Sequence, residues 1–338
     1  VKQADRNYWP EAAKLSETLI KPVAGLLGYK RLLVVADGAL QFLPFGALPA
    51  PGNSAASEPL LLGHEIVNLP SASALAILRR ESEGRPAAKM DLAVFADPVF
   101  SSDDPRLLRL AGKTREPAAI RKSGERSVAL LRSLRQVGFT AENQLRIPRL
   151  PATRKEAATI TGFAPPGRSF EATDFSANLD TVLDAGLERY RIVHFATHGV
   201  VNSDNPGLSG ILLSMFDKQG RARDGFLRLG DIYNLDLPVE LVVLSACSSA
   251  LGQQIRGEGL VGLVRGFMHA GARRVVASLW KVDDEATGEL MRRFYEGIFR
   301  RSLSPAAALR RAQMQMWRES EWKSPYFWAA FVLQGEWK

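Results

Sequence analysis

Short runs of consecutive apolar residues, each closing on a turn, constrain this chain more than any other feature. They are Arg31-Leu-Leu-Val-Val-Ala36, Asp91-Leu-Ala-Val-Phe-Ala96, Arg191-Ile-Val-His-Phe-Ala196, Leu241-Val-Val-Leu-Ser-Ala246 and a fifth over 274–280. A strand whose residues are apolar without alternation is buried on both faces, as in the interior of a parallel sheet. Helical patterns stand between these runs. Residues 153–161 form one. Residues 175–187 form another, with Leu179, Val182, Leu183 and Leu187 on one face. Residues 260–269 carry an apolar stripe stopped by Gly271, and Asp283 caps a helix running to about 299. Ser304-Pro305 opens a further helix in the N-cap and first-turn arrangement. Strand–helix alternation predicts an α/β protein with a mostly parallel central sheet and helices on both faces. Ligands of such sheets bind beyond the C-terminal ends of the strands.

The flanks are less regular. An amphipathic helix is expected over 11–27, with Ala13, Leu15, Leu19 and Leu26 as its apolar residues. Prolines, Gly, Asn and Ser make 49–59 a loop, 60–69 reads as a strand, 73–80 as a short helix and 326–333 as a final strand. The expected organisation is an N-terminal part over 1–90 that extends the sheet, then a catalytic core over 91–338 with an insertion at about 101–145. At 338 residues the chain can bury a core without disulfides, and its one cysteine makes an intrachain disulfide impossible. No apolar run is long enough for a membrane span. The chain begins Val-Lys-Gln with no signal-peptide pattern, which reads as a fragment or processed form, expected in the cytoplasm.

The net charge is +8, and 106–155 holds thirteen Lys/Arg against three Asp/Glu, more than the whole surplus. The stretch reads as a solvated insertion. Nucleic-acid binding is disfavoured, because Phe139 is its lone aromatic and base stacking needs several.

Two strand ends carry reactive side chains: His194-Phe-Ala-Thr-His198-Gly199 and Leu244-Ser-Ala-Cys247-Ser-Ser249. If the two strands are neighbours, His198 and Cys247 face each other at the active edge. A thiol is a poor nucleophile until deprotonated, and a nearby imidazole supports the thiolate and then protonates the leaving amine. The tetrahedral oxyanion needs preorganised donors, for which the backbone N–H groups of Gly199 and Cys247 are the candidates. No cofactor is expected. His194 and His198, four apart, admit a two-histidine metal site, but no third ligand is apparent and no metal is expected. His194 reads better as a hydrogen-bonded core residue. A serine mechanism at Ser245 or Ser248 lacks the Gly-x-Ser-x-Gly elbow. Gly257-Glu-Gly-Leu-Val-Gly262 lacks the phosphate-loop pattern.

His-Gly after one strand and Ala-Cys after the next resembles the caspase arrangement. With 35–49, 69–73, 205–210, 257–260 and 276–284 in the same order, the chain is similar to the CHAT-domain family of caspase-like, clan CD cysteine peptidases. The resemblance implies a caspase-like three-layer α/β/α sandwich and hydrolysis of protein or peptide substrates by a Cys/His dyad, at Cys247 and His198. It also implies tetratricopeptide repeats or a regulatory partner upstream, and neither nucleic acid nor membrane. Relatives that cut after basic residues use acidic pockets. Asp283 and Asp284 are therefore candidates for a substrate pocket, with Glu258 and Trp280, although helix capping and dipole complementarity are the preferred reading of the two aspartates. The basic 101–145 stretch is longer than the family pattern leads one to expect. Two rivals remain: a catalytically silent protein-binding module using the same groove, and a cysteine hydrolase or acyltransferase for small molecules.

Overall fold

The computed structural model describes residues 8–51, 58–111, 134, 140–141, 144–145, 147–202, 205–245, 259–281 and 283–337. Among them the strands, numbered along the chain, are β1 (Leu32–Val34), β2 (Ile66–Asn68), β3 (Met90–Pro98), β4 (Thr140–Ala141), β5 (Gln144–Leu145), β6 (Ser169–Asp174), β7 (Tyr190–Ala196), β8 (Gly199–Val200), β9 (Gly210–Leu212), β10 (Phe226–Arg228), β11 (Leu241–Leu244), β12 (Arg274–Ser278) and β13 (Phe331–Gly335). The chain divides into two compact units, one of residues 85–273 and one of 1–84 with 274–338.

In the unit of residues 85–273, β11, β7, β3 and β6 lie side by side, all parallel. The apolar runs explain this: Leu92 to Ala96, Ile192 to Ala196 and Leu241 to Leu244 are buried, as strands covered on both faces must be. Side chains alternate between faces along a strand. Phe95 stacks on Phe195 with centroids 5.3 Å apart, and Phe195 meets Phe267 of the helix Gly259–His269 at 5.8 Å. One residue earlier on β7, His194 reaches Glu156 of the helix Pro151–Thr161. The two helices therefore cover opposite faces, giving the α/β/α layering expected. The small antiparallel sheet β10-β9-β8 continues from the end of β7, over a core that includes Val99, Phe100, Val200, Leu212, Met215 and Phe226. Gly271 follows the helix Gly259–His269 at φ +114°, where a Cβ would sit 3.2 Å from the main chain of Leu237, so both conformation and space require glycine there.

In the other unit, β1, β2 and β13 are parallel and β13 pairs antiparallel with β12. Its long helices, Asp284–Arg301 and Pro305–Arg318, begin as the sequence predicts. Asp283 accepts from the N–H groups of Glu285 and Ala286, and Ser304 accepts from Ala307.

Several local expectations are corrected. The helix expected over 11–27 is Tyr8–Leu19, followed by the 3-10 turn Lys21–Val23. Its buried face is Tyr8, Ala12 and Ser16, spaced by four, while Leu15 and Leu26 are 40% and 70% exposed. Residues 31–36 form no buried strand: β1 spans three residues, and Leu33 is 41% exposed. Residues 60–69 split into the 3-10 turn Leu60–Leu62 and β2. The helix read over 175–187 is confined to Leu179–Asp184, because Asn178 caps it through the Thr181 N–H and Gly186 leaves it at φ +60°. Leu183 is consequently 53% exposed. Before the last strand the chain forms a helical turn, Pro325–Trp328, capped by Ser324.

Candidate active site

β7 and β11 are parallel neighbours, with Leu244 opposite Phe195, and the Ser245 N–H donates to the Phe195 carbonyl at 3.1 Å. Both strands thus end at one rim. Just past β7 the turn is tied to β9. The Thr197 hydroxyl donates to the Leu212 carbonyl at 2.6 Å, and the Leu212 N–H donates to the His198 carbonyl at 2.8 Å. That second bond makes Gly199 and Ile211, which are register partners, a non-hydrogen-bonded pair, so the Gly199 N–H turns away from β9.

His198 is 2% exposed, and its ring lies 5.2 Å from that of Phe100. Its Nε2 stands 2.7 Å from the Pro148 carbonyl oxygen. A carbonyl only accepts, so Nε2 carries the proton. In the neutral ring Nδ1 is then the basic nitrogen, the atom able to take a proton from a nucleophile. The sequence gives no sign of Pro148, because its contribution is a main-chain oxygen fifty residues away along the chain.

Beside Pro148 lies an ionic cluster that sequence reading also missed. Asp97, fully buried at the end of β3, accepts from Arg149 Nε at 2.9 Å and Nη2 at 2.7 Å, and from Arg154 Nε at 3.1 Å. Arg106 Nη1 is 3.1 Å from the same carboxylate, donates to Asp174 at 2.6 Å, and through Nη2 reaches Asp104 at 2.7 Å. Burial opposes ionisation of Asp104, but side-chain and backbone hydrogen bonds from Arg106 outweigh it and hold the carboxyl below the usual range. Burial likewise opposes ionisation of Asp174, and hydrogen bonds from Arg154 and Arg106 outweigh it in the same direction. The expectation of a solvated basic stretch is corrected at Arg106, whose side chain is largely buried among these aspartates, while Arg149 and Arg154 stay exposed even as they pair with Asp97.

His194 is fully buried. Its Nε2 lies 2.9 Å from Glu156 Oε1 and 3.2 Å from the Ser245 hydroxyl. It is a core residue tying the helix Pro151–Thr161 to the end of β11. Among the described residues no group of three His, Cys, Asp or Glu is arranged to hold a metal ion.

Cys247 and Glu258 lie outside the described residues. Asp283, Asp284 and Trp280 belong to the other unit. The Asp283 carboxylate is engaged as a helix cap, Asp284 is exposed in the first turn, and buried Trp280 donates its indole N–H to the Tyr326 carbonyl at 3.1 Å.

Fold and rim together define an α/β protein with a buried, oriented histidine at the C-terminal lip of a parallel sheet. The CHAT-domain family model matches residues 10–336, and the chain belongs to that family. It is 31% identical over 148 residues to human (Homo sapiens) tetratricopeptide repeat protein 28, covering 44% of this chain and 5% of that protein. The mouse (Mus musculus) protein of the same name is 34% identical over 113 residues, covering 33% of this chain and 4% of that one. The chain thus spans a small fraction of the relatives it matches. Among solved structures it is similar to the Saccharomyces cerevisiae separase–securin complex, with TM-score 0.48 and 14% identity over 90% of this chain and 16% of that one. It is also similar to the Arg-specific cysteine proteinase gingipain R, with TM-score 0.46 and 8% identity over 81% of this chain and 54% of that one. No helix of the described residues is long and apolar enough to cross a membrane.

Proposed function

We propose that this CHAT domain is a cysteine endopeptidase that cleaves proteins through His198 and Cys247, with 91–338 as its catalytic core. The observation that carries the reading is the Nε2–Pro148 hydrogen bond, which makes Nδ1 the basic nitrogen of His198. Nδ1 takes the proton of the Cys247 thiol, and the thiolate sulfur bonds to the carbonyl carbon of the scissile peptide. The resulting oxyanion is held by the N–H groups of Gly199 and Cys247. The C–N bond then breaks, and the imidazolium returns the proton to the leaving amine. Water hydrolyses the thioester. A single cysteine suits a reducing compartment such as the cytoplasm. Preference for Lys or Arg before the scissile bond would require carboxylates to receive that cation, and Asp283, Asp284 and Glu258 are the candidates, with Trp280 a further candidate for substrate binding.

A second reading is favoured by the curated relatives, which are named for tetratricopeptide repeats and not for a peptidase activity. In it the domain binds protein segments without cutting them.

A fluorogenic peptide library presented to the wild type, Cys247→Ala and His198→Ala separates the two. The endopeptidase reading expects cleavage by the wild type and a loss on the order of a thousandfold or more in each variant. It also expects a weaker preference for basic residues in Asp284→Ala. Binding of library peptides with no turnover by the wild type would establish the silent module instead.

A further inference from the structure

We propose that Asp97 and Arg149 are positioning residues: their ion pair holds residues 147–150 so that the Pro148 carbonyl receives the Nε2 proton of His198. The inference rests on the peptidase reading of that histidine.

Proline has no N–H, so Pro148 cannot be tied down by a donor of its own, and its neighbours must place its carbonyl. Ile147 and Leu150 are buried on either side. Arg149 lies between Pro148 and Leu150 and makes the two-pronged contact with Asp97 at 2.9 and 2.7 Å. Such a fork fixes orientation as well as distance. The Asp97 main chain engages the same segment from the other side. Its N–H donates to Thr153 Oγ1 at 3.0 Å, and that hydroxyl donates to the Leu150 carbonyl at 2.7 Å. Asp97 therefore grips residues 149 and 150 by side chain and by backbone.

Asp97 also sits where a positioning residue has cause to be. Its φ of +47° is left-handed, and the β3–β6 register shifts between Ala96 and Pro98. Aspartate tolerates that region better than most side chains. At this irregular point of the strand the carboxylate meets Arg149, Arg154 and Arg106. Among the described residues, the charged groups facing it are these three guanidinium groups, with Asp104 and Asp174 sharing Arg106.

Arg149 is the cleaner target. Without it Asp97 keeps Arg106 and Arg154, so the buried carboxylate is not left uncompensated, but the segment carrying Pro148 loses its tether. A carbonyl that no longer accepts from Nε2 supports the imidazolium less well, and the thiolate paired with that imidazolium becomes less stable.

The chain's single cysteine allows a test without substrate. The rate of alkylation by iodoacetamide is measured against pH for the wild type, His198→Ala, Arg149→Ala and Arg149→Lys, with far-ultraviolet circular dichroism recorded for each. The expected result is a reactivity midpoint that rises by about one pH unit in folded Arg149→Ala, toward the His198→Ala profile. Arg149→Lys, which keeps the charge but not the fork, shifts part of the way. On a cleavable peptide, kcat falls on the order of ten- to a hundredfold with KM nearly unchanged. A wild-type profile in folded Arg149→Ala overturns the proposal. If Arg149→Ala does not fold, the same profile in Arg149→Lys overturns it. Superimposable wild-type and His198→Ala profiles remove the dyad itself, and the proposal with it, an outcome distinct from a failure confined to the Arg149 variants.

Discussion

At position 210 there is no room for a side chain. A Cβ there would meet the Leu227 carbonyl oxygen at 2.4 Å and the Phe226 ring at 2.6 Å. The crowding matters because β9 holds the turn that carries His198, through both bonds of Leu212. Gly210→Ala is expected to cost about 1–3 kcal/mol through displaced backbone, read as a lower midpoint in urea denaturation. His194 illustrates the same dependence on surroundings. Its sequence position admits a metal ligand, yet its Nε2 lies inside the core, 2.9 Å from Glu156 Oε1 and 3.2 Å from the Ser245 hydroxyl. Pro148 is the opposite case. Nothing about a proline in a basic stretch suggests a hydrogen-bond acceptor for a candidate catalytic histidine, because the acceptor is a main-chain oxygen that every residue possesses.

Elements in this chain begin more legibly than they end. Asp283 and Ser304 announce two helices by the same chemistry, a short side-chain oxygen accepting from the first-turn N–H groups. Asp283→Ala is expected to lower stability by about 1 kcal/mol, checked as a drop in thermal midpoint. Ser324-Pro325 repeats the Ser304-Pro305 signal, but its helix lasts a single turn before β13, so an aromatic run that looks like one strand is two elements. The N-terminal helix departs for a different reason. Pro22 follows its end, and the buried face falls on Tyr8, Ala12 and Ser16 while Leu15 and Leu26 face solvent. Apolar identity alone does not say which face a helix buries. The neighbouring element does.

On the scale of the molecule, the ionic cluster couples the folding of residues 85–273 to pH. Asp104 and Asp174 are held below the ordinary carboxylate range in the folded state. Unfolded, they return to about 3.9. Near and below that value the unfolded chain binds more protons than the folded one, so stability is lost as pH falls through the depressed values, and is fully present above about pH 5. The thermal midpoint is expected to be level between about pH 5 and 7 on account of these groups and to decline below about pH 4. Asp104→Asn and Asp174→Asn should flatten that decline. By itself the sequence determined the parallel α/β class, the layering of helices on both faces, and the strands β7 and β11, the first of which ends just before His198. Those follow from local patterns of apolar residues, which secondary structure and burial read directly. Only the tertiary structure decided that Pro148 orients the imidazole, that Asp97 gathers arginines from a stretch that looks solvated, and that His194 is sealed in the core. Each depends on groups brought together from distant parts of the chain, and the strength of a hydrogen bond or ion pair depends on what surrounds it as well as on which residues take part.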